Sequence, residues 1–124
     1  MAENKIILLV DDTPDNLTIL STLLKSHYQL KIAINGEKAI KIVQSENPPD
    51  LILLDVMMPG MDGFEVCKIL KSSEQTSHIP IIFLTGLNNP EDIKKGKDLG
   101  GIDFLTKPIN PNEVLKKVQN QLNL

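Results

Sequence analysis

Three short runs of uninterrupted apolar residues, 6–10, 51–54 and 81–84, constrain the fold of this chain more than any other feature. Runs of four or five such residues, bounded by polar and turn-forming residues, read as strands covered on both faces. Each run stops abruptly at polar chemistry: the first at Asp11-Asp12, the second at Asp55, the third at Thr85-Gly86. Strands covered on both faces require helices above and below them. The segments between the runs should therefore be helical.

They read that way. Thr13-Pro14 suits the start of a helix, with Thr13 as N-cap and Pro14 in the first turn. Leu17, Leu20 and Leu24 follow at helical spacing, with Ile19 and Leu23 widening the stripe. Leu30, Ile32 and Ile34 alternate with polar or small residues, which predicts a strand with one face partly wet, at a sheet edge. Asn35-Gly36 opens a helix carrying Ala39, Ile40 and Val43, which stops before Pro48-Pro49. Asp62 and Glu65 have capping-box spacing and open a helix with Val66, Ile69 and Leu70 inward and Lys68 and Lys71 outward. Cys67 lies on that helix as a packing residue. Asn89-Pro90 starts a weak helix, poor in apolar residues and interrupted by Gly96. Residues 102–106 form the last strand, ending at Lys107-Pro108. Asn110-Pro111 then starts a final helix with Val114, Leu115, Val118 and Leu122 on its buried side.

The 124 residues suffice for one domain, spanning 1–124. A net charge of −3 gives no sign of a general nucleic-acid surface. No apolar stretch approaches the roughly 20 residues of a membrane helix, and the N-terminus lacks a signal-peptide pattern. A single cysteine excludes a disulfide framework, and His27 and His78 lack partners at ligand spacing. The expectation is a compact cytoplasmic domain.

Five strand–helix repeats with right-handed crossovers give a parallel sheet with helices on both faces. All strand carboxyl ends then lie on one edge, where open α/β sheets bind ligands. That edge collects Asp11, Asp12, Asp55, Thr85 and Lys107. Three carboxylates repel one another unless they share a hard cation, and Mg²⁺ takes such oxygen ligands while leaving room for a phosphate oxygen. A carboxylate beside Mg²⁺ can accept a phosphoryl group, with lysine and metal neutralising the transferred oxygens.

The segments Leu8-Leu9-Val10-Asp11-Asp12, Asp50 through Gly63, Ile81-Ile82-Phe83-Leu84-Thr85-Gly86 and Asp103-Phe104-Leu105-Thr106-Lys107-Pro108 resemble the receiver domain of two-component response regulators. The resemblance spans essentially the whole chain. It implies a doubly wound, flavodoxin-like sheet of five parallel strands in the order 2-1-3-4-5, with five helices. It implies Asp55 as phosphoacceptor, and Asp11, Asp12, Asp55 and the backbone carbonyl of Met57 as ligands of Mg²⁺. It makes Thr85 and Phe104 the switch residues, Lys107 the phosphate-binding lysine and Lys107-Pro108 a cis bond. It also places Met57 and Leu87 beside the path of a hydrolytic water. The implied donor is a histidine kinase or a histidine phosphotransfer protein. Such a domain catalyses only its own phosphorylation and dephosphorylation. The expected output surface is the Pro90 helix, the Phe104 strand and the last helix, since Thr85 and Phe104 flank that face and the Pro90 helix is weak; Lys94, Lys95, Lys97, Lys116 and Lys117 would give it positive patches suited to an acidic partner surface.

Three rival readings are weaker. An aspartyl phosphatase needs a second acid two residues beyond the nucleophile, where Met57 stands. A flavin carrier needs a Thr/Ser/Gly-rich phosphate loop where Asp11-Asp12-Thr13-Pro14 stands. A docking module that is never phosphorylated leaves the acids, threonine and lysine without a task.

Overall fold

The computed structural model describes residues 5–86 and 90–122. Its elements alternate strictly: β1 (Ile6–Val10), α1 (Pro14–Leu24), β2 (Gln29–Ala33), α2 (Gly36–Val43), β3 (Leu51–Asp55), α3 (Gly63–Lys71), β4 (Ile81–Thr85), α4 (Pro90–Asp98), β5 (Asp103–Thr106) and α5 (Pro111–Leu122). The five strands form one parallel sheet in the order β2-β1-β3-β4-β5. This is the doubly wound, flavodoxin-like arrangement that the sequence predicts. The apolar runs of β1, β3 and β4 form the centre of the sheet, and their residues from Ile7 onward are almost fully buried.

Side chains alternate across the sheet and build two cores. Leu8, Val10, Ile52, Leu54, Ile81 and Phe83 face α2, α3 and α4. Ile7, Leu9, Leu51, Leu53, Ile82 and Leu84 face α1 and α5. Two helices cover one face and three the other, and the edge strand β2 shows the consequence. Ala33 is buried, but Ile32 and the following Ile34 are 48% and 51% exposed. The apolar alternation at 30–34 thus marks the wetter face, where only Leu30 packs into the α1/α5 core.

Helix starts follow local chemistry, with one correction. Asn35 caps α2 by accepting from the Lys38 N–H at 2.8 Å. Asp62 and Glu65 form both arms of a capping box on α3, at 2.9 and 3.2 Å. Asn110 accepts from the N–H groups of Asn112 and Glu113 at the start of α5. Thr13 stands at the N-cap of α1 with Pro14 in the first turn, as expected, but its side chain makes no cap bond. Its own N–H donates instead to Asp11 Oδ1 at 2.9 Å, so the acid at the end of β1 shapes the turn into the helix.

On α3 the inward set is Phe64, Val66, Cys67 and Leu70, while Ile69 is exposed. Lys71 does not point to water either. Its Nζ donates to the carbonyls of Ser77 and Ile79 at 2.9 and 2.6 Å, pinning the α3–β4 connection. Gly96 does not interrupt α4, which runs through it. It is buried because α4 rests directly on the aromatic rings beneath. An added Cβ would stand 2.5 Å from Phe104 Cζ and 3.0 Å from Phe83 Cε2. The expected start of α4 at Asn89 lies outside the described residues.

Candidate phosphoryl and metal site

The carboxyl ends of β1, β3, β4 and β5 converge on one edge of the sheet. Asp11 and Asp55 are buried there, and Asp12 beside them is exposed. One carboxylate oxygen from each of the three lies within 4.8 Å of the others. Lys107, delivered by the end of β5, puts Nζ 3.0 Å from Asp55 Oδ1 and 3.4 Å from Asp11 Oδ2. Its backbone N–H donates to the Thr85 carbonyl at 2.9 Å, so the ends of β4 and β5 are locked together where Thr85 lies buried. The Lys107-Pro108 bond is cis. The sequence-predicted Asp11, Asp12, Asp55 and Lys107 therefore meet in space, with Thr85 on the strand between Asp55 and Lys107.

Asp55 itself is unevenly held. Oδ1 accepts from Lys107 and, at 3.3 Å, from the Met57 N–H. Oδ2 is buried without a hydrogen-bond partner among the described residues. A buried carboxylate oxygen in that condition is costly. Burial pushes the Asp55 carboxyl up to about 6; the Lys107 hydrogen bond opposes this, and the Asp11 charge adds to it. Burial works against the charge of Lys107, but Asp55 and Asp11 outweigh it and raise the pKa of the ammonium.

The loop after Asp55 is fixed by close packing. Gly63 N–H donates to Val56 O at 2.9 Å, and a Cβ at Gly63 would stand 2.9 Å from Val56 Cα. The start of α3 is thereby drawn against the end of β3. Met57 is 64% exposed on this loop, while Leu87 lies outside the described residues.

Phe104 packs among aromatic rings. Its ring is buried, 5.4 Å from that of Phe83, which in turn meets Phe64 at 5.2 Å. The five lysines of the expected output face are less free than the sequence implies. Lys94 pairs with Asp98, Lys95 stands over the Phe64 ring, and Lys117 bonds Asp103 and the Phe104 carbonyl. Lys97 and Lys116 remain exposed.

Sequence reasoning missed one residue of the site. Asn16, in the first turn of α1, donates from Nδ2 to Asp11 Oδ2 at 3.2 Å. Its only signal in the sequence is an amide at a helix position where a first turn would favour an acid.

The oxygen-only donor set and the orphaned Asp55 oxygen suit a hard divalent cation. Comparison with known proteins agrees with this geometry. The chain is 43% identical over 116 residues to a probable cyclic di-GMP phosphodiesterase of Vibrio cholerae, covering 94% of this chain and 26% of that protein. It spans about a quarter to a half of the first curated relatives that it matches. The chemotaxis protein CheY4 of Vibrio cholerae superimposes with a TM-score of 0.87 at 33% identity, covering 97% of this chain and all (100%) of that one. The receiver domain of the sensor histidine kinase PA1611 from Pseudomonas aeruginosa, solved with a magnesium ion in its active-site cleft, gives 0.87 at 28% identity, with 98% and 100% coverage. The profile of the response regulator receiver domain matches residues 7–119. With its sheet order and its acidic pocket, the chain belongs to the response regulator receiver domain family of two-component signalling.

Proposed function

We propose that this domain accepts a phosphoryl group on Asp55 from the phosphohistidine of a histidine kinase or phosphotransfer protein, and that phosphorylation changes what its surface binds. The observation that carries the reading is Asp55 itself: one oxygen is held by Lys107 and the Met57 N–H, and the other is buried without a partner among the described residues. A carboxylate positioned on one side and uncommitted on the other is arranged to react. In the transfer, the P–N bond of the donor breaks and a P–O bond to the Asp55 carboxylate forms. The donor imidazole leaves with a proton.

Asp11, Asp12, Asp55 and the backbone carbonyl of Met57 would hold Mg²⁺. When bound, that ion supplies positive charge against the phosphoryl oxygens as the transfer proceeds. Lys107, already beside Asp55, neutralises a further oxygen of the transferred group. Thr85 would donate its hydroxyl to a third. Moving the Thr85 end of β4 disturbs the Lys107 backbone and, through β5, Phe104. The resting ring of Phe104 is already packed inward, so in this reading Thr85 and the overlying α4 carry more of the response than the ring does. The face made by α4, β5 and α5 is the proposed output surface.

Intact-protein mass spectrometry after incubation with acetyl phosphate and Mg²⁺ tests the reading. The expected result is the mass of one phosphoryl group on the parent and none on Asp55→Asn. Equal labelling of both proteins would refute it.

A further inference from the structure

The acid at the end of β1 is gripped on both oxygens. Asp11 Oδ1 accepts from the Thr13 N–H at 2.9 Å. Asp11 Oδ2 accepts from Asn16 Nδ2 at 3.2 Å and stands 3.4 Å from Lys107 Nζ. Asp11 is 0% exposed, so no bulk water competes for these positions. An ionised carboxylate only accepts hydrogen bonds, so the Asn16 amide must present its nitrogen.

The use of Asn16 is unusual for its place. A helix first turn has unsatisfied N–H groups, and a polar side chain there ordinarily serves them as an acceptor. Asn16 instead turns a donor onto the acid that enters the turn. The two donors at Asp11 Oδ2 come from different elements. Asn16 reaches it from α1, whereas Lys107 reaches it from the end of β5. Without Asn16, Asp11 is still held at Oδ1 by the Thr13 N–H, but Oδ2 loses the side-chain donor that shares it with Lys107, and the ion pair with Lys107 can close further. That closure would draw Asp11 away from Asp12 and occupy Lys107, the two things a cation and a phosphoryl group need kept open.

We infer that Asn16 is a positioning residue of the cation site: it holds Asp11 Oδ2 against the pull of Lys107, and so sets the affinity for a divalent cation without touching it. This rests on the functional reading above, because it assigns to Asp11 a share in the cation. Partners that orient metal-binding groups typically change metal affinity by about 10- to 100-fold when removed. A neutral amide acting through one carboxylate belongs near the lower end.

The test is calorimetric titration of the metal-free domain with Mg²⁺, and with Mn²⁺ as a second probe. The parent, Asn16→Ala, Asn16→Ser, Asp11→Asn and the Asn16→Ala/Asp11→Asn double variant are compared. Urea unfolding without metal is measured in parallel. The expected result is about a tenfold loss of affinity in Asn16→Ala. In the Asp11→Asn background the same change should cost less than about twofold, since its route of action is gone. Asn16→Ser supplies a second measurement if the alanine variant folds poorly. Equal affinity in the parent and both single Asn16 variants would overturn the inference and leave the functional reading standing. So would the same loss in both Asp11 backgrounds, because Asn16 would then not act through Asp11. A parent that bound neither ion would overturn the inference and the functional reading together.

Discussion

Gly96 of α4 lies on the ring of Phe104, so closely that a Cβ there would stand 2.5 Å from Cζ. The helix therefore reaches the aromatic pair Phe83–Phe104 through a backbone contact. Gly96→Ala tests which effect wins. Helix propensity favours alanine by about 1 kcal/mol. Overpacking against two rings costs about 1–3 kcal/mol. The rings are themselves packed, so the clash should prevail. We expect Gly96→Ala to lower stability by about 1 kcal/mol in urea unfolding, and a stabilised variant would show that α4 can lift without cost.

The pH dependence of the metal-free protein follows from Asp55. Its carboxyl is raised from 3.8 to about 6, chiefly by burial. The folded state therefore holds a proton that the unfolded state releases, and the associated stability is fully present below about 4 and lost as pH rises through about 6. The span corresponds to on the order of 2–3 kcal/mol. Urea midpoints in a chelator should fall between pH 5 and pH 7.5 in the parent, and fall less in Asp55→Asn. Excess Mg²⁺ should largely remove the decline. A midpoint that rises over this range would contradict the assignment.

Asp11 and Asp12 should separate in mutation. Charge repulsion alone predicts that removing either acid stabilises the metal-free domain. Asp11, however, holds the Thr13 N–H and the Asn16 amide, and Asp12 is exposed. We expect Asp12→Ala to be neutral or slightly stabilising. Asp11→Ala should lose about 1–3 kcal/mol, because buried partners are left unsatisfied. Chemical denaturation without metal distinguishes the two, and equal effects would refute the structural role of Asp11.

That contrast shows what the sequence could and could not convey. The central strands β1, β3 and β4 were legible because burial on both faces writes itself as unbroken apolar residues. The convergence of Asp11, Asp12, Asp55 and Lys107 followed from parallel topology alone. What depended on who packs against whom did not show. Ile32 and Ile34 are exposed on the edge-strand face that two helices leave partly open, and Ile69 stands outside the buried set of α3; periodicity carries no count of neighbours. Gly96 reads as a helix breaker until the rings beneath it are seen. Asn16 acts through one hydrogen bond to Asp11 and Lys71 through two to carbonyls, and no sequence pattern announces them.

The lifetime of the phosphorylated state should depend on Met57. Its side chain is 64% exposed two residues beyond Asp55, and a thioether cannot orient a water as an amide can. We expect the phosphorylated Met57→Asn variant to lose its label several-fold faster than the parent after donor removal in excess Mg²⁺. Equal decay rates would place control of the lifetime elsewhere.

The central claim is that the phosphoryl group sits on Asp55 as an acyl phosphate. Borohydride reduces such a bond and converts the aspartate to homoserine, which peptide mass spectrometry locates. After treatment with acetyl phosphate and Mg²⁺ and then borohydride, homoserine at position 55 is predicted in the parent, with none in protein that saw no donor. Phosphate that resists borohydride, or homoserine at Asp11, Asp12 or another acid in its place, would contradict the account.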